Sequence, residues 1–487
     1  MTKTIKISIL FLLLLLPLLA YAQSIHQIEY EAYKTTAPHP SFFTDTDYQI
    51  RPFRQEKSSN LTHTVFGYLP DWEYPTARTN LQYDLLTHIA AFDFTVSASG
   101  DLTPPSYWPW VDVINTAHEH GVKIIATVVN FTTSQIHTLL TNQASRQNLF
   151  ENLSGILQEF ELQGVNIDFE NVASADRGNL LNSFMADLTD YLHQEVPGSE
   201  ISFAAPPVNW GSWNFAGLAH ACDYLFIMGY NFYGSWSETS GPSAPLRGGS
   251  YNITKTIETQ YAAVVNAEPE KLILGVPYYG DRWQTRTSAA YSEAIDHLGH
   301  PRYKTAYVES LTHGLKWDFR SQASWYSYKE SNKFYQVWFE TDSSLGLKYD
   351  LVLKHQLKGT GMWALGYDGS RTELWDELRL KFTESTGVEQ INDSQAIQIY
   401  PNPAKEILII NYPDQSHDIL RGEIINLQGK VMLEFRPFDP SAPLRDHFAQ
   451  GPVAERSQSQ ILVNVSILPK GIYFLKIGNT TKKFVKD

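Results

Sequence analysis

Between residues 63 and 382 the chain alternates eight short apolar runs with amphipathic stretches, and this alternation limits the fold more than any other feature. The candidate strands are Thr64–Leu69, His88–Phe94, Lys123–Val129, Gly164–Phe169, Ile201–Ala205, Tyr224–Met228, Lys271–Val276 and Gly361–Leu365. Several are apolar throughout, as strands buried on both faces are. Stretches such as Trp110–His120, Arg146–Leu162, Arg177–Gln194, Asn252–Val265 and Ser344–Leu357 read as the intervening helices. Eight such units predict an α/β fold, a (β/α)8 TIM barrel, with its active site at the C-terminal ends of the strands. A doubly wound open sheet is the rival architecture, but no glycine-rich phosphate loop follows the first strand. Tyr279–Val337 is too long for a simple connection and is rich in Tyr and Trp. It predicts a small insertion after strand seven that builds one wall of a groove.

The flanks differ in texture. Lys3 and Lys6 precede an apolar stretch from Ile7 to Ala20, closed by Ala20-Tyr21-Ala22. Residues 1–22 therefore read as a secretory signal peptide, and the apolar run is short for a transmembrane span. The mature form is expected to carry no transmembrane segment. Residues 23–60, with prolines at 38, 40 and 52, read as an irregular lead-in, and 61–383 as the barrel. Residues 384–395 are polar and read as a linker. From 396 to 487 short strand-like runs separated by turns predict a small all-β sandwich. The formal net charge of −14 argues against a nucleic-acid partner, because phosphate is met by basic patches. The single cysteine, Cys222, precedes an apolar run and reads as a small buried hydrophobe. His118-Glu119-His120 reads as a solvated helix face; no metal-ligand spacing and no cofactor motif is evident.

Within Gly164-Val165-Asn166-Ile167-Asp168-Phe169-Glu170, alternate side chains share a face. Asn166, Asp168 and Glu170 then point into the barrel, and Val165, Ile167 and Phe169 toward the helices. Burying carboxyl groups is costly without compensation, so two on one strand face point to chemistry.

This segment resembles the D-x-x-D-x-D-x-E signature of glycoside hydrolase family 18. Further likenesses lie in Gly67-Tyr68-Leu69-Pro70-Asp71-Trp72, Met228-Gly229-Tyr230-Asn231, Gly275-Val276-Pro277-Tyr278-Tyr279-Gly280 and Gly361-Met362-Trp363-Ala364-Leu365-Gly366-Tyr367-Asp368. The resemblance implies substrate-assisted, retaining hydrolysis of β-1,4 bonds in polymers of N-acetylglucosamine. It makes Glu170 the general acid and then base. Asp168 would stabilise the oxazolinium ion formed from the substrate's 2-acetamido group, and Tyr230 would hold that group's oxygen. Trp363 would floor the subsite, with Asn166, Tyr68, Met228, Asn231 and Tyr278 as further substrate-binding residues. Two signature positions differ: Gln163 and Asn166 stand where the family has Asp. Asn166 is expected to hydrogen-bond Asp168. Asn130-Phe131 on strand three and the wording of strand four are similar to a branch that includes spore-cortex and peptidoglycan N-acetylglucosaminidases, which makes peptidoglycan a rival to chitin. A non-catalytic glycan-binding relative, and a carrier using the barrel as scaffold, are the readings from other classes; Glu170 argues against the first.

Ile399-Tyr400-Pro401-Asn402-Pro403-Ala404, Ile424-Ile425-Asn426-Leu427-Gln428-Gly429-Lys430 and Leu468-Pro469-Lys470-Gly471-Ile472-Tyr473 resemble the type A sorting domain of the type IX secretion system. That resemblance implies export through the periplasm to the cell surface or medium, with the type IX machinery as partner. A carbohydrate-binding sandwich is the alternative for this module.

Overall fold

The computed structural model describes residues 23–35, 37–44, 49–54, 60–384, 398–411, 422–426, 430–435, 456–457, 460–477 and 480–487. The expected signal peptide and the expected linker, apart from Glu384, lie outside these residues.

Eight parallel strands form the barrel: β1 (Thr64–Pro70), β2 (His88–Val96), β3 (Lys123–Asn130), β4 (Gly164–Phe169), β5 (Glu200–Ala205), β6 (Tyr224–Met228), β7 (Leu272–Pro277) and β8 (Gly359–Trp363). Each pairs with its neighbours in chain order, and β1 pairs with both β8 and β2, which closes the ring. All eight expected strands are present, with ends shifted by at most two residues. They are legible because each is buried on both faces, inward against the lumen and outward against helices.

The lumen is packed, as barrels of this size are. Phe66, Tyr68, Phe226 and Tyr224 fill it, with Tyr68 edge-on to Phe226 at 4.9 Å. Gly275 and Gly361 make room for this filling: a Cβ on either would lie 2.4 Å from the Phe226 ring. On the outer face, Phe169 meets Phe184 of the helix Asn179–Glu195 at 5.9 Å. The stretch 252–265 is less regular than one helix. It runs as a short α segment, Ile253–Lys255, a π turn, Thr256–Gln260, and a second α segment, Ala262–Ala267. Its β-branched residues, Ile253, Thr254, Thr256, Ile257 and Thr259, favour an α-helix poorly.

The insertion after β7 is a five-stranded antiparallel sheet built on Gly280–Thr285 and Lys333–Phe339, with the helix Tyr303–His313 packed on it. Three of its tryptophans form a small core of their own, while Tyr303 and Tyr326 join the core of the barrel. Trp325 stacks on Trp338 at 5.0 Å, and Trp283 is buried beside them. The C-terminal residues form two four-stranded antiparallel sheets that share one core of Leu408, Ile410, Ile424, Val463, Leu475 and Phe484.

Two expectations need correction. His118 is buried, not solvated; its Nδ1 lies 2.6 Å from the Arg51 carbonyl and tethers the lead-in to the barrel. The lead-in is also not irregular throughout. Ile25–Tyr33 is a helix, α1, and Ser24 caps it by accepting from the Gln27 N–H at 3.1 Å.

Candidate active site

The C-terminal end of β4 carries the carboxyl pair. Asp168 is fully buried and pairs in register with Val129 of β3. Glu170 follows the strand, and its N–H donates to the Asn130 carbonyl at 3.1 Å. Burial raises both carboxyls, and the neighbouring Asp168 charge adds to the rise of Glu170, which is pushed up to about 8. Asp168 Oδ1 and Glu170 Oε1 are buried without a hydrogen-bond partner among the described residues.

Asn166 sits one step deeper and does not reach Asp168. Its Oδ1 accepts from the Tyr68 hydroxyl at 2.8 Å, and its Nδ2 donates to Ser202 Oγ at 2.9 Å. Both ends of the amide are thus committed within the lumen. Gln163 lies at the other end of β4, where its Oε1 accepts from the Ile124 N–H at 2.8 Å. The two departures from the family signature therefore hold strands together.

Tyr230 follows β6, on the lumen side with Met228 and Phe226. Asn231, at φ 57°, accepts from the Tyr279 hydroxyl, and its backbone N–H donates to Ser243 Oγ at 3.1 Å. Trp363 ends β8 and crosses the barrel mouth, fully buried, 5.5 Å from Tyr68. Tyr278 does not join this group: it turns outward against Trp375 at 6.3 Å. Its neighbour Tyr279 takes the inward place, 6.2 Å from Tyr230, as the alternation from Gly275 through Pro277 requires.

The residues missing from the sequence reading come from α1. His26 lies between the two sides of the site, its Nδ1 2.7 Å from Asp168 Oδ2 and its Nε2 2.7 Å from the Tyr230 hydroxyl. The imidazole stacks on Trp363 with ring centroids 3.7 Å apart. Burial pushes it down to about 4, against the pull of the Glu170 and Glu29 charges, so the ring is neutral. Glu29 accepts from Trp363 Nε1 and from the Tyr367 hydroxyl, both at 2.6 Å. Ser24, beside Glu170, holds back part of the rise in that carboxyl. The available clue was Ser24 followed three residues later by Gln27, a helix-start pattern that puts His26, Glu29, Tyr30 and Tyr33 along one side. The insertion adds Arg302, whose Nη2 is 2.5 Å from Glu73 Oε1 and whose guanidinium covers Tyr367 at 5.0 Å.

The comparisons agree with this architecture. The family model for glycosyl hydrolases family 18 matches residues 64–368, and that for a secretion system C-terminal sorting domain matches 398–439. A human di-N-acetylchitobiase is 31% identical over 256 residues, 46% of this chain. A putative sporulation-specific glycosylase, YdhD of Bacillus subtilis, is 28% identical over 293 residues, 57% of this chain. Each match spans 65% of the relative's own length. Among solved structures, a Cycas revoluta family 18 chitinase in complex with (GlcNAc)3 superposes with a TM-score of 0.58 at 18% identity, over 65% of this chain and 99% of that one. The Bacillus cereus spore cortex-lytic enzyme SleL gives 0.55 at 19% identity, over 68% and 76%. The chain belongs to glycoside hydrolase family 18 and carries a C-terminal secretion sorting domain.

Proposed function

We propose that this glycoside hydrolase cuts β-1,4 bonds next to N-acetylglucosamine by substrate-assisted, retaining catalysis. One observation carries the reading. Asp168 and Tyr230 stand so that a single planar group with two heteroatoms one carbon apart reaches both, as the His26 ring does. The nitrogen and oxygen of an acetamido group have that same relation. Its N–H would donate to Asp168 and its oxygen would accept from Tyr230, which aims the oxygen at the anomeric carbon. Glu170, held protonated to about 8, would give its proton to the leaving oxygen and later take one from water. Trp363 would lie under the sugar ring, with Tyr68 and Met228 behind it and Asn231 beside Tyr230.

The polymer is chitin or its oligomers in the first reading, in line with the relative named a chitobiase. Peptidoglycan is the second, favoured by relatives named a sporulation-specific glycosylase and a cortical fragment-lytic enzyme. Export would proceed through the periplasm, with the sorting domain presented to the type IX machinery. The test is to incubate the enzyme separately with chitin oligomers and purified peptidoglycan and to weigh the products. New reducing-end N-acetylglucosamine from either substrate supports the reading and selects the polymer. Release from neither overturns it.

A further inference from the structure

From the geometry of α1 we infer that the N-terminal segment is a built-in competitive inhibitor, with His26 standing in the place of the substrate's acetamido group and Glu29 anchoring it. The inference rests on the proposed roles of Asp168 and Tyr230.

Three observations converge. First, the imidazole satisfies both partners at once, 2.7 Å from Asp168 and 2.7 Å from Tyr230. With its proton on Nδ1, it donates to the carboxylate and accepts from the phenol, as an acetamide would. Second, the ring lies flat on Trp363 at 3.7 Å with a 26° tilt, where a sugar face would rest. Third, the site is shut. Asp168 and Trp363 are 0% exposed, Tyr230 2% and Glu170 9%, so a polysaccharide has no path to them while α1 is in place. Placing His26 there strips a titratable ring of water, which lowers its proton affinity, and Glu29 is likewise buried. Such costs are rarely borne by a segment that only covers a barrel.

The anchoring is distributed along the helix. Glu29 takes both the Trp363 and Tyr367 donors. Gln27 Oε1 accepts from Asn171 at 3.0 Å, next in sequence to Glu170. Tyr33 stacks on Trp72 at 5.1 Å, and Arg302 covers the Tyr33 ring at 5.8 Å. Substrate and α1 compete for the same groups, so only one of them occupies the mouth.

The test uses the full mature chain as wild type, His26→Ala, Glu29→Gln and Glu170→Gln. Rates on a fluorogenic chitobioside are measured beside hydrogen exchange of the amides of residues 25–33, with and without chitotriose. Binding of chitotriose is followed by tryptophan fluorescence. The expected result is a rise of at least tenfold in kcat/KM for His26→Ala and Glu29→Gln, and faster exchange across 25–33 once chitotriose saturates the wild type. An unchanged or lower kcat/KM in both variants, each melting as the wild type does, overturns the inference. So does undiminished protection of α1 at saturating sugar. If no protein binds or cleaves the sugar, the proposed function fails, and exchange alone decides whether the segment is docked. Protection in the wild type that is lost in His26→Ala upholds the docked segment; unprotected α1 amides in the wild type overturn it.

Discussion

In the proposed mechanism Glu170 faces two demands: it must hold a proton at neutral pH and release it to a leaving oxygen. Burial first, and the Asp168 charge second, raise it to about 8. Because the required form is the acid, activity is present below the raised value and lost as pH climbs through it. kcat/KM reports the free enzyme, and the free enzyme here has α1 docked. Its alkaline limb is therefore expected near 8 in the wild type. In His26→Ala, water reaches Glu170, the burial contribution shrinks, and the limb moves to lower pH. A limb that stays in place would contradict the link between docking and acidity. Glu170→Gln keeps shape and hydrogen bonding but has no proton to give. It should lower kcat by about a thousandfold, within the usual range for a general acid, while chitotriose binding read by fluorescence changes little. At this scale the sequence was informative where alternation governs: Asn166 and Asp168 face inward as expected. It misled on Tyr278, because the inward parity of β7 runs through Gly275 and Pro277 to Tyr279. It was also mistaken on the partner of Asn166, since Tyr68 of β1 and Ser202 on the neighbouring β5 take the two ends of its amide.

Among the elements, the strands are the legible part. A strand wrapped by helices outside and side chains inside must be apolar throughout, and that texture is visible without a partner. Close approach between strands is less visible. A Cβ at Gly164 would lie 2.1 Å from the Glu200 carbonyl oxygen, so β4 and β5 meet at a distance only glycine permits. Gly164→Ala should cost about 1–3 kcal/mol, as overpacking does, and lower the thermal midpoint; an unchanged melting curve would refute the tight contact. The helix α1 was missed for a different reason. Prolines at 38, 40 and 52 gave the whole of 23–60 an irregular look. The nine residues of α1 are too few to be stable alone, so their helicity depends on what the barrel mouth offers them. Local sequence carries the Ser24 cap but not the binding surface.

For the whole molecule, the barrel and the C-terminal sandwich have separate cores and separate tasks. A chain ending before residue 396 should accumulate inside the cell and disappear from the medium and cell surface, read by immunoblot of each fraction. Undiminished export of that shortened chain would count against the sorting role. The division was legible because the texture changes abruptly, from strand–helix alternation to closely spaced strands and turns. What the sequence left hidden was the relation between the first described residues and the catalytic end of the barrel, since it joins segments more than 140 positions apart.

That relation has a consequence for how the enzyme behaves once exported. His26 and Asp168 belong to one chain, so the local concentration of the ring at the site is set by the tether and not by the amount of protein present. Dilution into the surroundings strips away an inhibitor that binds from solution. It leaves this one in place, and each molecule travels at the same degree of dormancy however few accompany it. On the proposed reading only a ligand that outbids the tethered ring opens the barrel, so the glycan itself would set the threshold for its own hydrolysis.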